Sequence, residues 1–178
     1  MSDGDGDGAL RLTLVRHGHA SPQTPPGQSD FDRALDRKGQ AEAAEMARRC
    51  LELGLVPDLV RASAAVRTEQ TAVTFLRVMD LPAERLQLER GLYLAESDAL
   101  LGAIRETPAW VRHLMIVAHN PGLGDLAQQF APRAHLRGFE TGATCSIELQ
   151  AVAWDEVRLG QARDLRYDAP GRFYDVWG

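Results

Sequence analysis

The sequence predicts an α/β fold: a three-layer α/β/α sandwich around a mostly parallel central sheet, with an antiparallel portion near the C-terminus. Three observations predict it. Short apolar runs alternate with helix-length segments of 3.6-residue periodicity, the pattern of strands joined by crossover helices. The last two strand candidates have no helix between them, so they pair antiparallel. The chain has 178 residues, 44% hydrophobic and 25% charged, enough to bury a core without staples. Residues 10–178 are expected to form one domain. Residues 1–9, with alternating Asp and Gly, read as a flexible acidic lead-in.

The elements follow in order. Leu12–Val15 is a short apolar run ending abruptly at Arg16-His17-Gly18, as a buried strand does where the backbone must turn. Pro22, Pro25, Pro26 and Gly27 make the stretch from Ser21 to Ser29 a loop. From Gly39 to Leu53 the residues Ala43, Met46, Ala47, Cys50 and Leu51 share one helical face, and Gly54 stops the helix. Asp58–Ser63 reads as a second strand and Ala65–Met79 as a second helix. Leu86–Leu88 is a third strand candidate. A helix capped by Ser97-Asp98 carries Leu100, Leu101 and Ile104 and ends before Pro108. Leu114–Ala118 is the clearest buried strand. It runs into His119-Asn120-Pro121-Gly122 and a short helix with Leu123, Leu126, Ala127 and Phe130. Thr144–Leu149 and Val157–Tyr167 are the closing strands, joined by a turn near Asp155.

Several function classes are excluded by the bulk properties. No apolar run approaches the ~20 residues that a membrane helix needs. The N-terminus lacks the basic and apolar regions of a signal peptide. Cys50 and Cys145 are sparse and far apart, so reduced buried thiols and a cytoplasmic location are expected. A net charge of −5 does not suggest a nucleic-acid surface. Of the 20 basic residues Lys38 alone is lysine, so a single arginine carries little information without a motif around it.

In open α/β sheets, ligands sit outside the carboxyl ends of the strands. His17 and His119 each follow a strand candidate directly, which places both at one edge of the domain. Phosphoryl transfer without a metal requires a nucleophile and cations for the non-bridging oxygens. A neutral imidazole is nucleophilic, and a backbone carbonyl on its other nitrogen fixes the tautomer. Guanidinium forks match phosphate bidentately. His17, Arg16, Arg67 and His119 meet these needs, the last as a protonated donor beside bound phosphate.

Three ordered motifs carry a resemblance. Leu14-Val15-Arg16-His17-Gly18 resembles the Arg-His-Gly signature of the histidine phosphatase (phosphoglycerate mutase-like) superfamily. The segment from Ser63 to Ala72, containing Arg67, is similar to the second motif, whose arginine binds phosphate. Ile116–Gly122 resembles the second histidine motif, particularly in the phosphohistidine phosphatase branch typified by bacterial SixA. Asp32–Ala41 resembles the segment joining the first two motifs.

The resemblance implies that His17 is phosphorylated and that Arg16, Arg67 and His119 form the phosphate pocket. Gly18 would let the backbone approach the phosphoryl group, and amides after Pro121 would add to the pocket. It implies a hydrolase of phosphoramidates or phosphomonoesters, most directly phosphohistidine on a protein, with no metal and no cofactor.

Two departures stand out. Many relatives carry a glutamate after the third strand as general acid. Aligning Leu92-Tyr93 with their apolar pair puts Gly91 there, leaving Glu89 or Glu96 only by a register shift. The asparagine that some mutase-type members carry beyond Arg-His-Gly is missing, with Ser21 or Gln23 as replacements. The short chain also lacks mutase-type insertions, so an open, shallow pocket is expected. His19, His113 and His135 lie in no motif and read as structural, as do Gly39 at a helix start and Asp32 and Asp36 as caps. Rival readings remain: a mutase or small-molecule phosphatase, a metal hydrolase using His17, His19 and His119, and a non-catalytic phosphoprotein-binding module.

Overall fold

The computed structural model describes residues 8–136 and 138–172, so most of the 1–9 lead-in lies outside the described residues. Six strands form one sheet: β1 (Arg11–Arg16), β2 (Leu59–Ser63), β3 (Leu86–Glu89), β4 (His113–Ala118), β5 (Thr144–Leu149) and β6 (Ala162–Asp168). Their order is β3-β2-β4-β1-β5-β6. The first four run parallel, β5 pairs antiparallel with β1, and β6 pairs antiparallel with β5. The four main helices are α1 (Arg37–Glu52), α2 (Val66–Val78), α3 (Ser97–Arg105) and α4 (Gly122–Phe130).

Strand alternation divides the core in two. Leu12 and Leu14 of β1, with Leu114 and Ile116 of β4, face Leu100, Ile104, Leu126 and Phe130 of α3 and α4. Val15, Met115 and Val117 point the other way, toward Met46 and Cys50 of α1 and Phe75 of α2. Each central strand is therefore apolar on both faces, as strands covered on both sides must be. The expected α/β/α sandwich is what the chain forms. Among the described residues no helix is long and apolar enough to cross a membrane.

Three local expectations are corrected. Leu51, expected on the buried face of α1, is 42% exposed, while Glu42 is buried instead. The carboxylate of Glu42 accepts the His19 amide at 2.8 Å, which draws into the interior a charged group that periodicity put off the apolar stripe. Helix α3 starts at Ser97 with Glu96 at the N-cap and no side-chain cap bond. The last strand is shorter than Val157–Tyr167, because a 3-10 turn at Trp154–Glu156 buries Trp154, whose Nε1–H donates to the Val111 carbonyl at 2.7 Å.

The parallel topology places the site. β1 and β4 are neighbours with Arg16 opposite Ala118, so His17 and His119 leave adjacent strands at the same level. Ser63 ends β2, the next strand over, and α2 begins at Val66, bringing Arg67 to the same edge.

Candidate active site

His17 is buried at the strand end, 8% exposed. Its Nδ1 lies 2.8 Å from the Gly18 carbonyl, which only accepts, so Nδ1 carries the proton. That leaves a lone pair on Nε2, which accepts from Arg67 Nε at 3.3 Å. Burial, reinforced by Arg67, Arg16 and Arg33, lowers the His17 pKa from 6.5 to about 4. The imidazole is neutral at neutral pH, the form in which it is a nucleophile.

Arg67, 2% exposed, joins the two imidazoles. Its Nη2 lies 3.4 Å from His119 Nδ1, and the His119 ring centroid is 5.2 Å from that of His17. An arginine only donates, so Nδ1 accepts and the proton sits on Nε2, which reaches Ser63 Oγ at 2.8 Å. Burial first, then His17 and Arg67, lower the His119 pKa to about 3. With these neighbours alone His119 is therefore neutral; the expectation of a protonated donor concerns the ring beside phosphate. An entering dianion offsets the arginine field and favours the charged form.

Arg16 donates through Nη1 to the Phe139 carbonyl at 2.8 Å. Its buried Nε has no hydrogen-bond partner among the described residues. A buried charged donor left unpaired is costly, and an anion at the site satisfies it.

Gly18 has a steric role besides its backbone one. A Cβ there would meet the Gly39 carbonyl oxygen at 2.4 Å, and one on Gly39 would meet the His19 carbonyl oxygen at 2.0 Å. The two glycines let the loop after β1 lie directly on the start of α1. Thr71 Oγ1 accepts the Gly18 amide at 3.2 Å. Asp36, the α1 N-cap, accepts from the Gly39 amide at 2.9 Å and pairs with His19 Nδ1 at 2.5 Å, so it caps as expected. His19 supports the loop and His113 sits in a separate buried cluster with Thr13.

Other expectations fare differently. The amides of Leu123, Gly124 and Asp125 are engaged by His119 O, Asn120 Oδ1 and Pro121 O, so the start of α4 offers them to no anion. Ser21 and Gln23 bond to each other within their loop. Glu89 is held by Arg61, with Nη2 to Oε2 at 2.8 Å and a second bond from Nε to Oε1. Both carboxylate oxygens are used there. A cavity of about 930 Å³ lies along the β5–β6 edge beside Leu53, Arg133 and Tyr167, and holds neither His17 nor His119.

Two residues at the site were not anticipated. Asp30, in a 3-10 turn at Asp30–Asp32, accepts from Arg67 Nη2 at 3.0 Å and from Arg33 Nε at 2.8 Å. Tyr93 donates its hydroxyl to Asp30 Oδ2 at 2.5 Å. The Tyr93 ring stands edge-on to His119, with centroids 5.4 Å apart, and to Phe31 at 5.0 Å. Neither residue lies in a phosphate-binding motif, and their contacts exist only once the 29–33 turn and the 90–96 segment close over the pocket. Ser63 did carry a signal, as the first residue of the second motif.

Comparison with known proteins agrees with this arrangement. Residues 12–135 match the histidine phosphatase superfamily (branch 1). A protein assigned as the phosphohistidine phosphatase SixA of Agrobacterium tumefaciens has a similar structure, with a TM-score of 0.74 and 28% identity over 91% of this chain and 99% of that one. The protein histidine phosphatase SixA, solved with tungstate, matches with a TM-score of 0.69 and 23% identity over 79% of this chain and 88% of that one, which speaks to the fold. A chloroplastic Arabidopsis thaliana protein is 41% identical over 61 residues, which is 34% of this chain and 28% of that protein. The sequence match spans all three motifs over residues 12–135, so the chain belongs to branch 1 of the histidine phosphatase superfamily.

Proposed function

We propose that this chain is a phosphatase that takes a phosphoryl group onto His17 Nε2 and passes it to water, acting on phosphoramidates and above all on phosphohistidine carried by a protein. The observation that carries this reading is the His17 tautomer: Nδ1–H is bound to the Gly18 carbonyl and Nε2 presents its lone pair at the Arg67 guanidinium. Arg16, with its unpartnered Nε, and Arg67 supply positive charge to the non-bridging oxygens. His119 adds a third donor once phosphate is bound, its proton on Nδ1 and its other nitrogen on Ser63.

The leaving group decides the substrate class. An alkoxide needs a well-placed acid, worth roughly 10²–10⁴ in rate. Glu89 is tied to Arg61, and Asp30 is ionised, its pKa lowered to about 2 chiefly by the Tyr93 hydroxyl. With these partners neither donates a proton. An imidazole leaves far more readily, so a phosphohistidine substrate loses little. The substrate is then a phosphorylated protein in the cytoplasm, and no metal or cofactor has a part.

A substrate panel tests this: phosphohistidine peptide, sugar phosphates, phosphoglycerates and an aryl phosphate, compared by kcat/KM. The phosphohistidine peptide should lead and alkyl monoesters trail. Rapid turnover of a sugar phosphate or phosphoglycerate, with little activity on the peptide, would move the chain to a metabolite phosphatase.

A further inference from the structure

Hydrolysis through His17 needs a second half-reaction, in which water attacks the phosphorylated imidazole, and the groups considered so far leave that water without a base. Among the described residues, Asp30 is the one carboxylate hydrogen-bonded to a side chain of the pocket. We propose that Asp30 is the general base of this second step, taking the proton from the attacking water. The inference rests on the His17 phosphoenzyme proposed above.

Placement comes first. Asp30 Oδ2 and His17 Nε2 bind the same Arg67 guanidinium, through Nη2 at 3.0 Å and Nε at 3.3 Å. The carboxylate therefore lies one planar group away from the atom that carries the phosphoryl. Its side chain is 46% exposed, whereas His119 is buried at 2%, so Asp30 stands on the solvent side from which water arrives.

Orientation comes next. Arg33 Nε, Arg67 Nη2 and the Tyr93 hydroxyl donate to the carboxylate, and Arg67 Nη1 donates to the Asp30 backbone carbonyl at 2.7 Å. Four bonds from three side chains fix one flexible residue at the pocket mouth. The same donors keep it ionised, the form that can take up a proton. Glu89 is no rival, because its hydrogen bonds go to Arg61 and, among the described residues, to no side chain of the pocket.

The step balances as follows. The water oxygen forms a bond to phosphorus, and the P–Nε2 bond breaks with its electron pair returning to the imidazole. The water proton passes to Asp30, which releases it to solvent. His17 is restored as the neutral tautomer, its Nδ1 proton still on the Gly18 carbonyl.

The test is rapid-quench kinetics with p-nitrophenyl phosphate on the full chain and on Asp30→Asn. The variant should release about one equivalent of nitrophenolate in a burst, accumulate acid-labile phosphate on His17, and then turn over roughly 10²–10⁴ more slowly than the unmodified chain. Formate should speed the slow phase of Asp30→Ala, and Asp30→Glu should restore part of it. If burst and steady rate fall together in Asp30→Asn, with weaker inhibition by inorganic phosphate, then Asp30 only holds Arg67 and the proposal is overturned. Unchanged steady turnover overturns it too. Failure of the unmodified chain to form any phosphoenzyme would instead remove the proposed function, and this inference with it.

Discussion

Each nitrogen in the pocket has its protonation assigned by the group it faces. His17 Nδ1 faces a carbonyl, and His17 Nε2 and His119 Nδ1 both face Arg67. One guanidinium thus faces both rings, and in the proposed reaction it receives the phosphoryl oxygens as well. Arg67→Ala should lower kcat by about 10²–10³, the usual cost of losing a charged donor at the developing charge. Arg67→Lys should recover little, since a single ammonium cannot bridge Asp30, His17 and His119 at once; steady-state kinetics on the aryl phosphate reads both. The four pocket side chains were legible because they sit in short motifs tied to strand and helix ends. Asp30 and Tyr93 were not, because a turn folding back over the pocket leaves no periodic or motif signal. The charge His119 carries without an anion was not legible either: sequence shows a histidine near arginines, but only burial shows how strongly its charged form is disfavoured.

At the scale of elements, the loop after β1 rests on α1 through two glycines with no room for a methyl group. Gly39→Ala should force the His19 carbonyl away, with a Cβ contact of 2.0 Å to relieve. The loop would carry Gly18 and the His17 anchor with it. We expect a loss of about 1–3 kcal/mol in stability, as overpacking typically costs, and a larger fractional loss of activity; urea unfolding and the aryl phosphate assay check the two.

Strand β4 carries a third buried imidazole, His113, away from the pocket. His113 Nδ1 donates to the Val56 carbonyl at 3.0 Å and Nε2 accepts from Thr13 Oγ1 at 2.8 Å. Burial, with Arg11, lowers its pKa from 6.5 to about 4. The unfolded chain then binds a proton between pH 6.5 and about 4 that the folded chain refuses, so stability falls with pH across that window and is unaffected above it. His17 and His119 act in the same direction. His113→Gln should make the slope of unfolding free energy against pH shallower by up to one proton; an unchanged slope would show that His113 charges within the fold. Periodicity located β1 and β4 well, since both faces of each are apolar. It failed at Leu51 and Glu42, where the loop amide of His19 recruits a carboxylate into the helix face.

For the whole molecule, the sheet order puts β2, β4 and β1 side by side, so three motifs spread from residue 14 to residue 122 meet at one edge. The alternation of strands and helices in the sequence predicts this edge but not the neighbour order, which comes from packing. The last strand was the least legible, because an apolar Val157 belongs to the turn that buries Trp154. Phe75 of α2 is fully buried with Met46 and Cys50 of α1 on the sheet face carrying Val15. Phe75→Ala should cost about 3–5 kcal/mol in unfolding free energy, while a preparation that stays folded keeps its phosphoenzyme. In the proposed reaction positive charge comes from two arginines and, once phosphate is bound, from His119, so dialysis against a strong chelator should leave the rate intact. A loss restored by one divalent ion would refute the metal-free account.

The central claim is that phosphate passes through His17, and it is tested most directly by trapping. The chain is mixed with a phosphohistidine peptide or p-nitrophenyl phosphate, quenched within milliseconds, and mapped by mass spectrometry under basic conditions, where phosphoramidates survive. The account predicts a single acid-labile phosphate on His17, absent from His17→Ala along with turnover. Stoichiometric labelling that persists in His17→Ala, or full turnover by that variant, would contradict it.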